Sequence, residues 1–257
     1  MKNTQRNELA VCGFAAVKTL EKVNYSRIQR LYFTEEKAPL FGGLCKKLAA
    51  NKKPYNKVKD EEELKKLCGS VHHQGVVAMI ESPQILPLNS DITDMWCESK
   101  ETVLLLDRIG NANNLGAIVR SAAFFGIKNI IIPLDESQSS ITTSSYRVAE
   151  GGMEFVNIYS VKSIPFLLQN MKSKMNIIGT SLEAKNSVSE LKSICKDKAS
   201  IIILGNEEEG ISDEVKNLCD YLIIIPFAGM NDAADGPKVD SLNVAQAASI
   251  ILYEIKK

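Results

Sequence analysis

This chain is poor in the residues that metal and redox chemistry need. Its 257 residues hold only two histidines, adjacent at His72 and His73. Its six cysteines (Cys12, Cys45, Cys68, Cys97, Cys195 and Cys219) are widely scattered, and no two form a C-x-x-C pair. Such spacing argues against a zinc site and reads as reduced thiols, mostly filling the core. No apolar run reaches the ~18–20 residues that a membrane span requires. The opening residues, MKNTQRNELA, carry no apolar signal core. The expectation is therefore a cytoplasmic protein with no membrane and no metal among its partners. The single tryptophan, Trp96, is assigned no function.

Net charge is also absent, with 31 Lys+Arg against 31 Asp+Glu. The balance hides an asymmetry. Residues 1–82 carry 15 basic and 9 acidic side chains, and residues 83–257 carry 16 and 22. The basic excess is densest at Lys46, Lys47, Lys52, Lys53, Lys57 and Lys59, which points to a polyanion partner for the first half. A solvated helix face would show the same charges.

An apolar fraction of 45 % is enough for a proper core. Residues 1–82 read as a small α/β unit, with helices at 11–23, 40–50 and 61–68 and strands at 30–33 and 76–80. Residues 83–100, holding Pro83 and Pro87, read as a linker. From residue 101 onward, short apolar strands are expected at 103–106, 129–132, 176–179, 200–204 and 221–225. Helices are expected at 115–125, 164–171, 213–217 and 242–255. Strands that are apolar on both faces and alternate with helices imply a mostly parallel sheet covered on both sides. The domains expected are thus 1–82, a linker at 83–100, and 101–257.

Ligands of parallel sheets bind beyond the carboxyl ends of the strands. Three such ends are polar here. The first loop, Asp107 to Arg120, reads DRIGNANNLGAIVR. The second lies in IIILGNEEEGIS, between Gly205 and Gly210. The third follows the strand at 221–225 and runs from Pro226 to Ser241-Leu242-Asn243. The second mimics a phosphate-binding loop, but Ile211 stands where the lysine belongs and Glu207, Glu208 and Glu209 repel phosphate. It suits a neutral or cationic ligand. No G-x-G occurs anywhere, which disfavours a dinucleotide-binding dehydrogenase.

Together the three loops resemble the SpoU (TrmH-type) branch of the SPOUT ribose 2′-O-methyltransferases. The resemblance rests on Asn114-Leu115-Gly116-x-x-x-Arg120, on Gly205-Asn206-Glu207-x-x-Gly210, and on Ile225-Pro226 followed by Ser241-Leu242-Asn243-Val244. His73-Gln74-Gly75-Val76-Val77-Ala78 is similar to the end of the ribosomal-protein-like RNA-binding domain of two-domain members.

The resemblance implies an α/β fold, with a parallel-sheet SPOUT domain ending in a trefoil knot and a small α/β RNA-binding domain ahead of it. It also implies a homodimer that uses S-adenosylmethionine to methylate a ribose 2′-hydroxyl of RNA, rRNA favoured over tRNA. The alternative is a knotted RNA-binding protein without catalysis. By resemblance the catalytic set is Asn114, Arg120, Glu207, Ser241 and Asn243. The cofactor set is Thr180, Leu204, Gly205, Ile225, Pro226 and Leu242. Glu207 is expected to hold Asn114 and Arg120, with Glu208 and Glu209 facing solvent. Asn114 and Arg120 converge only if Asn114 precedes the helix, because six helical residues turn about 120°. Ser241 is expected to cap the last helix. The stretch Met230 to Asp240 is longer than such relatives need and reads as a lid or a tolerated insertion. Tyr146 to Gly152 is similar to a loop near the substrate in such relatives.

Overall fold

The computed structural model describes residues 2–3, 7–227 and 241–257. The insertion expected at 230–240 lies outside them. The chain divides into two compact units, one of Met1–Gln84 with Ser140–Phe155 and the other of Ile85–Ser139 with Val156–Lys257.

The first unit opens with β1 (Lys2–Asn3), β2 (Glu8–Cys12) and α1 (Phe14–Asn24). There follow β3 (Ile28–Phe33), α2 (Gly42–Ala50), β4 (Tyr55–Lys57), α3 (Glu61–Cys68) and β5 (Val76–Glu81). The strands form one sheet in the order β1-β2-β5-β3-β4. The strand β5 pairs antiparallel with β2 on one side and β3 on the other, with Ala78 opposite both Val11 and Leu31. A helix was expected from residue 11. The break instead comes at Gly13, whose φ of 98° cannot continue a helix, so Val11 and Cys12 finish a fully buried strand. Asp60 caps α3 by accepting from Glu63 N.

The second unit begins with β6 (Leu86–Pro87) and α4 (Ser90–Glu98), so the stretch expected as a linker carries regular structure. Then come β7 (Thr102–Leu106), α5 (Ala112–Phe124) and β8 (Asn129–Pro133). The next helix, α6 (Thr143–Ala149), belongs to the first unit. The second unit resumes with β9 (Asn157–Val161), α7 (Ile164–Met171), β10 (Asn176–Thr180) and β11 (Asn186–Ser187). It ends with α8 (Leu191–Cys195), β12 (Ser200–Leu204), α9 (Asp213–Lys216), β13 (Tyr221–Ile224) and α10 (Val244–Lys256). Ser212 caps α9 as expected, accepting from Val215 N at 3.3 Å.

Eight strands form one sheet in the order β11-β13-β10-β12-β7-β8-β9-β6, and every pairing is parallel. One face is packed by Val103, Leu105, Ile177, Ile201 and Ile203 against Trp96 of α4 and Leu167, Leu168 and Met171 of α7. Trp96 is fully buried and meets the ring of Tyr159 edge-on at 5.5 Å. Successive side chains alternate across the sheet, so Leu104, Ile130 and Ile202 point to the other face, and they too are buried. Burial on both faces explains the unbroken apolar runs of β7, β8 and β12. The missed strand β9 has a polar residue at each end of its apolar pair, Asn157 and Ser160 around Ile158 and Tyr159, which hides it from periodicity.

Candidate active site

Four strands end side by side. In register, Leu106 of β7 stands beside Leu204 of β12, Gly179 of β10 beside Ile203, and Thr180 beside Ile223 of β13. Asp107 N extends the first pairing by donating to Leu204 O at 2.8 Å. The loops that carry Asp107–Asn111, Thr180, Gly205–Gly210 and Ile225–Pro226 therefore leave the sheet from one edge. That is where a parallel sheet presents its ligand site.

The acidic loop is a folded turn. Asn206 and Gly210 form an antiparallel bridge closed by Gly210 N donating to Asn206 O at 2.9 Å. The Asn206 side chain organises the rest. Its Oδ1 accepts from Glu208 N at 2.8 Å and Glu209 N at 3.2 Å, and its Nδ2 donates to Arg108 O at 3.0 Å. Gly205 has to be glycine, because a Cβ there would lie 2.3 Å from the Gly210 carbonyl carbon and 2.4 Å from Ile211 N. Those neighbours are backbone and cannot swing aside.

Arg108 sits in the left-handed region at φ 60°. Its Nε donates to Asp107 Oδ1 at 3.0 Å and its Nη1 to Glu209 Oε2 at 2.6 Å. The hydrogen bond that Arg108 donates to Asp107 outweighs partial desolvation and pushes the guanidinium pKa above its ordinary value. Glu209 faces solvent as expected, its side chain 69 % exposed, and Arg108 also ties it to the first loop. Both Arg108 and Asn206 were overlooked as organising residues. An asparagine at the mouth of a loop, two residues before a free backbone N–H, is the signal that identifies such a turn.

A hydrogen-bonded chain joins the three loops. Asn114 Nδ2 donates to Glu207 Oε1. Asn114 Oδ1 accepts from Asn243 Nδ2 at 3.1 Å. Asn243 Oδ1 accepts from Ala245 N at 3.0 Å and so caps α10. The direction of the chain is forced at both ends. An ionised carboxylate only accepts, and a backbone N–H only donates. Both amide orientations follow from those two ends. The cap of α10 is thus Asn243 and not Ser241, which lies two residues earlier and is exposed. Asn114 is the third residue of α5, whose N-cap is Asn111. It does not precede the helix, so the backbone sets Arg120 about 120° round α5 and about 9 Å along it. Any approach of the two relies on the length of the arginine side chain. Arg120 itself is exposed on α5.

Thr180 Oγ1 donates to Ile203 O at 3.1 Å and so ties β10 to β12. Ile225 is half-buried, Pro226 exposed, and Leu242 is 46 % exposed at the head of α10. Apolar surface thus stands open near backbone polar groups and three carboxylates. Among the described residues, no group of three or more His, Cys, Asp and Glu side chains could hold a metal ion. No helix among them is long and apolar enough to cross a membrane.

Two family models match this chain. Residues 101–253 match the SpoU rRNA methylase family. The chain belongs to the SpoU family. Residues 10–86 match the RNA 2′-O ribose methyltransferase substrate-binding family. Among this SpoU member's relatives is the 23S rRNA (guanosine-2′-O-)-methyltransferase RlmB of Acinetobacter baylyi, 32 % identical over 75 % of this chain and 74 % of the relative. The RlmB protein of Pseudomonas aeruginosa is 28 % identical over 95 % of this chain and 94 % of its own. The fold is shared with the SpoU methyltransferase AviRb of Streptomyces viridochromogenes in its complex with AdoMet. That likeness has a TM-score of 0.73 and 21 % identity, covering 98 % of this chain and 90 % of the other.

Proposed function

We propose that this SpoU-family methyltransferase transfers a methyl group from S-adenosylmethionine to a ribose 2′-hydroxyl of large-subunit rRNA. One observation carries the reading: the hydrogen-bonded chain Glu207–Asn114–Asn243 ties the three family loops together at one edge of the sheet. The site fits the methyl donor. Its open apolar surface at Ile225, Pro226 and Leu242 can flank an adenine, and the loop backbone at Leu204 and Gly205 can meet the ring's polar edge. The carboxylates of the acidic loop tolerate a sulfonium cation. When bound, this cofactor supplies an electrophilic methyl group. No metal is required, only in-line alignment.

Arg120 orients the target ribose and stabilises the alkoxide that develops on its oxygen. A guanidinium keeps its proton and is a poor base, so the hydroxyl proton leaves to water or a phosphate oxygen. Asn114 and Asn243, anchored by Glu207, hold the loops in register. The exposed hydroxyl of Ser241 reaches the ribose or the methionine moiety of the donor.

The first unit supplies RNA affinity. Lys46, Lys47, Lys52, Lys57 and Lys59 are exposed, and Tyr55 is 42 % exposed among them. Lys47 Nζ lies 4.7 Å from the centre of the Tyr25 ring. Basic residues interleaved with open aromatic rings suit a backbone contact backed by base stacking. We read the enzyme as a cytoplasmic homodimer with a C-terminal trefoil knot. Phe124, 83 % exposed, and Tyr253, 53 % exposed, offer apolar surface to a second copy.

Incubation with methyl-labelled S-adenosylmethionine and separated rRNA and tRNA tests the reading. Label is expected in the ribose of large-subunit rRNA. Label in tRNA alone reassigns the substrate. No label, together with no cofactor binding by calorimetry, overturns the reading.

A further inference from the structure

A cavity of about 600 Å³ opens at the other end of the sheet, where β7 and β8 begin. It is lined by Lys100, Lys128, Lys192, Lys196 and Lys256, with Glu101 as its one carboxylate. This concentration is unexpected in residues 83–257, which carry six more acidic than basic side chains. A run of about five strand residues, roughly 16 Å, separates the cavity from the loops that hold Glu207 and Asn114.

Lysines near helix carboxyl ends have an ordinary explanation. The ends of α4, α5, α8 and α10 all come to this cavity, at Ser99, Gly126, Cys195 and Lys256. Each helix end carries at most about half a negative charge. Four of them offset roughly two of the four net positive charges, so a surplus of about two remains. The side chains also decline the capping role. Among the described residues, none of the five ammonium groups makes a hydrogen bond or ion pair. Glu101 is engaged elsewhere, accepting from Asn129 Nδ2 at 2.7 Å. The neighbouring Glu254 pairs with Lys257 at 2.8 Å.

The lining identifies the class of ligand. No aromatic ring lines the cavity, so there is nothing on which a base can stack. No arginine is present to grip one phosphate by two parallel bonds. All five lysines are exposed on flexible stems. Such a set reads charge density along a chain, not the shape of a small molecule. We propose that this cavity is a second docking point for the phosphodiester backbone of the RNA substrate, remote from the methyl-transfer loops. The proposal rests on the RNA-methyltransferase reading above.

The test compares two triple variants of the full chain with equal charge change. One is Lys192→Gln, Lys196→Gln and Lys256→Gln. The control is Lys162→Gln, Lys172→Gln and Lys185→Gln, three exposed lysines outside the cavity. Affinity for a large-subunit rRNA fragment is measured by fluorescence anisotropy across a salt series. Each lost phosphate contact lowers the slope of log affinity against log salt by about 0.7. The cavity variant is expected to flatten the slope by about 2 and to bind about tenfold or more weakly at moderate salt. Its cofactor affinity stays unchanged, and the control shifts less than twofold. A cavity variant that matches its control overturns the proposal, while methyl transfer by the wild type keeps the functional reading. Binding of inorganic pyrophosphate that is lost in the cavity variant, with RNA binding intact, also overturns it in favour of a small anion. A wild-type protein that neither binds nor methylates RNA overturns both.

Discussion

Asn114 is the hydrogen-bonded link between Glu207 and Asn243, donating to one and accepting from the other at 3.1 Å. It therefore connects the acidic loop to the head of α10 through the first turn of α5. Asn114→Ala breaks both contacts, while Asn114→Asp keeps an acceptor for Asn243 and loses the donor to Glu207. Asn114→Asp is expected to be the more damaging change, because it sets a second carboxylate against Glu207, and like charges repel at this range. A misplacement of about 1 Å in such a site can lower the rate about 10²-fold. Methyl transfer should fall by that order in Asn114→Asp, less in Glu207→Ala, and least in Glu207→Gln, whose amide oxygen can still accept. Single-turnover rates of the three variants check the ranking. A Glu207→Gln enzyme as slow as Asn114→Asp would show that charge, and not the link, is what matters.

Arg120 stands exposed on α5, about 120° round the helix from Asn114. Its proposed role is toward the ribose and not toward the methyl donor. Arg120→Ala should reduce transfer by at least about 10²-fold, the loss typical of removing one transition-state donor. Cofactor affinity by calorimetry should change less than twofold. Arg120→Lys should recover little, since a lysine cannot reproduce the planar fork. Loss of cofactor binding in Arg120→Ala would assign the residue to the donor side instead.

Gly205 lies against the backbone of Gly210 and Ile211, where a Cβ would come within 2.3 Å and 2.4 Å of main-chain atoms. Gly205→Ala must push the acidic loop away from the end of β12. The loop leaves the sheet through the Leu204–Gly205 backbone proposed to meet the adenine. Cofactor affinity is expected to fall at least tenfold while the melting temperature drops only a few degrees, as the sheet below is untouched. Gly210→Ala is the contrast: its Cβ meets nothing within 4 Å, and its penalty is the backbone strain of φ 66°. Equal affinity in Gly205→Ala and wild type would show that the loop does not touch the cofactor.

The sheet of the second unit was legible because its strands are buried on both faces and read as plain apolar runs. The loops were legible through their polar residues at strand ends. Less local features were not. Val11 falls on helical spacing with Phe14, Ala15, Val17 and Leu20, yet β2 claims it through pairing with β5, and Gly13 divides the two elements. The capping of α10 by Asn243 could not be told from capping by Ser241, since both residue types cap well. The choice is made by Asn114 accepting from the other end of the same amide. Arg108 lay in plain view in DRIGNANNLGAIVR, but its partner Glu209 is 101 residues away. The grouping of residues 140–155 with the first unit is likewise long-range. Arg27 contributes to it, donating to Glu154 at 2.9 Å and to Tyr146 Oη at 3.0 Å, as does Asn24, donating to Glu154 at 2.7 Å.

That last network makes stability depend on pH in the alkaline range. Tyr146 is 3 % exposed, and burial, with the Glu154 charge beside it, pushes its phenol from 10.0 up to about 12. The folded state thus favours the neutral phenol. In the unfolded chain the phenol ionises near 10, so ionisation stabilises the unfolded chain first. The contribution is complete below pH 10 and is lost as pH rises to about 12. Two pKa units correspond to about 3 kcal/mol, of which roughly 2 falls between pH 9 and pH 11.5, because the upper pH stops short of the folded value. Urea unfolding at pH 9 and pH 11.5 should show the wild type losing about 2 kcal/mol more than Tyr146→Phe over that interval. Arg27→Ala tests the same network from the cation side. It leaves the Glu154 carboxylate, 1 % exposed, without its cationic partner, only Asn24 Nδ2 still donating to it at 2.7 Å. A buried charge stripped of its partner costs about 3–5 kcal/mol, so this variant should be the least stable of the set at pH 7. Equal alkaline losses in wild type and Tyr146→Phe would mean that the phenol ionises no later in the folded chain than in the unfolded one.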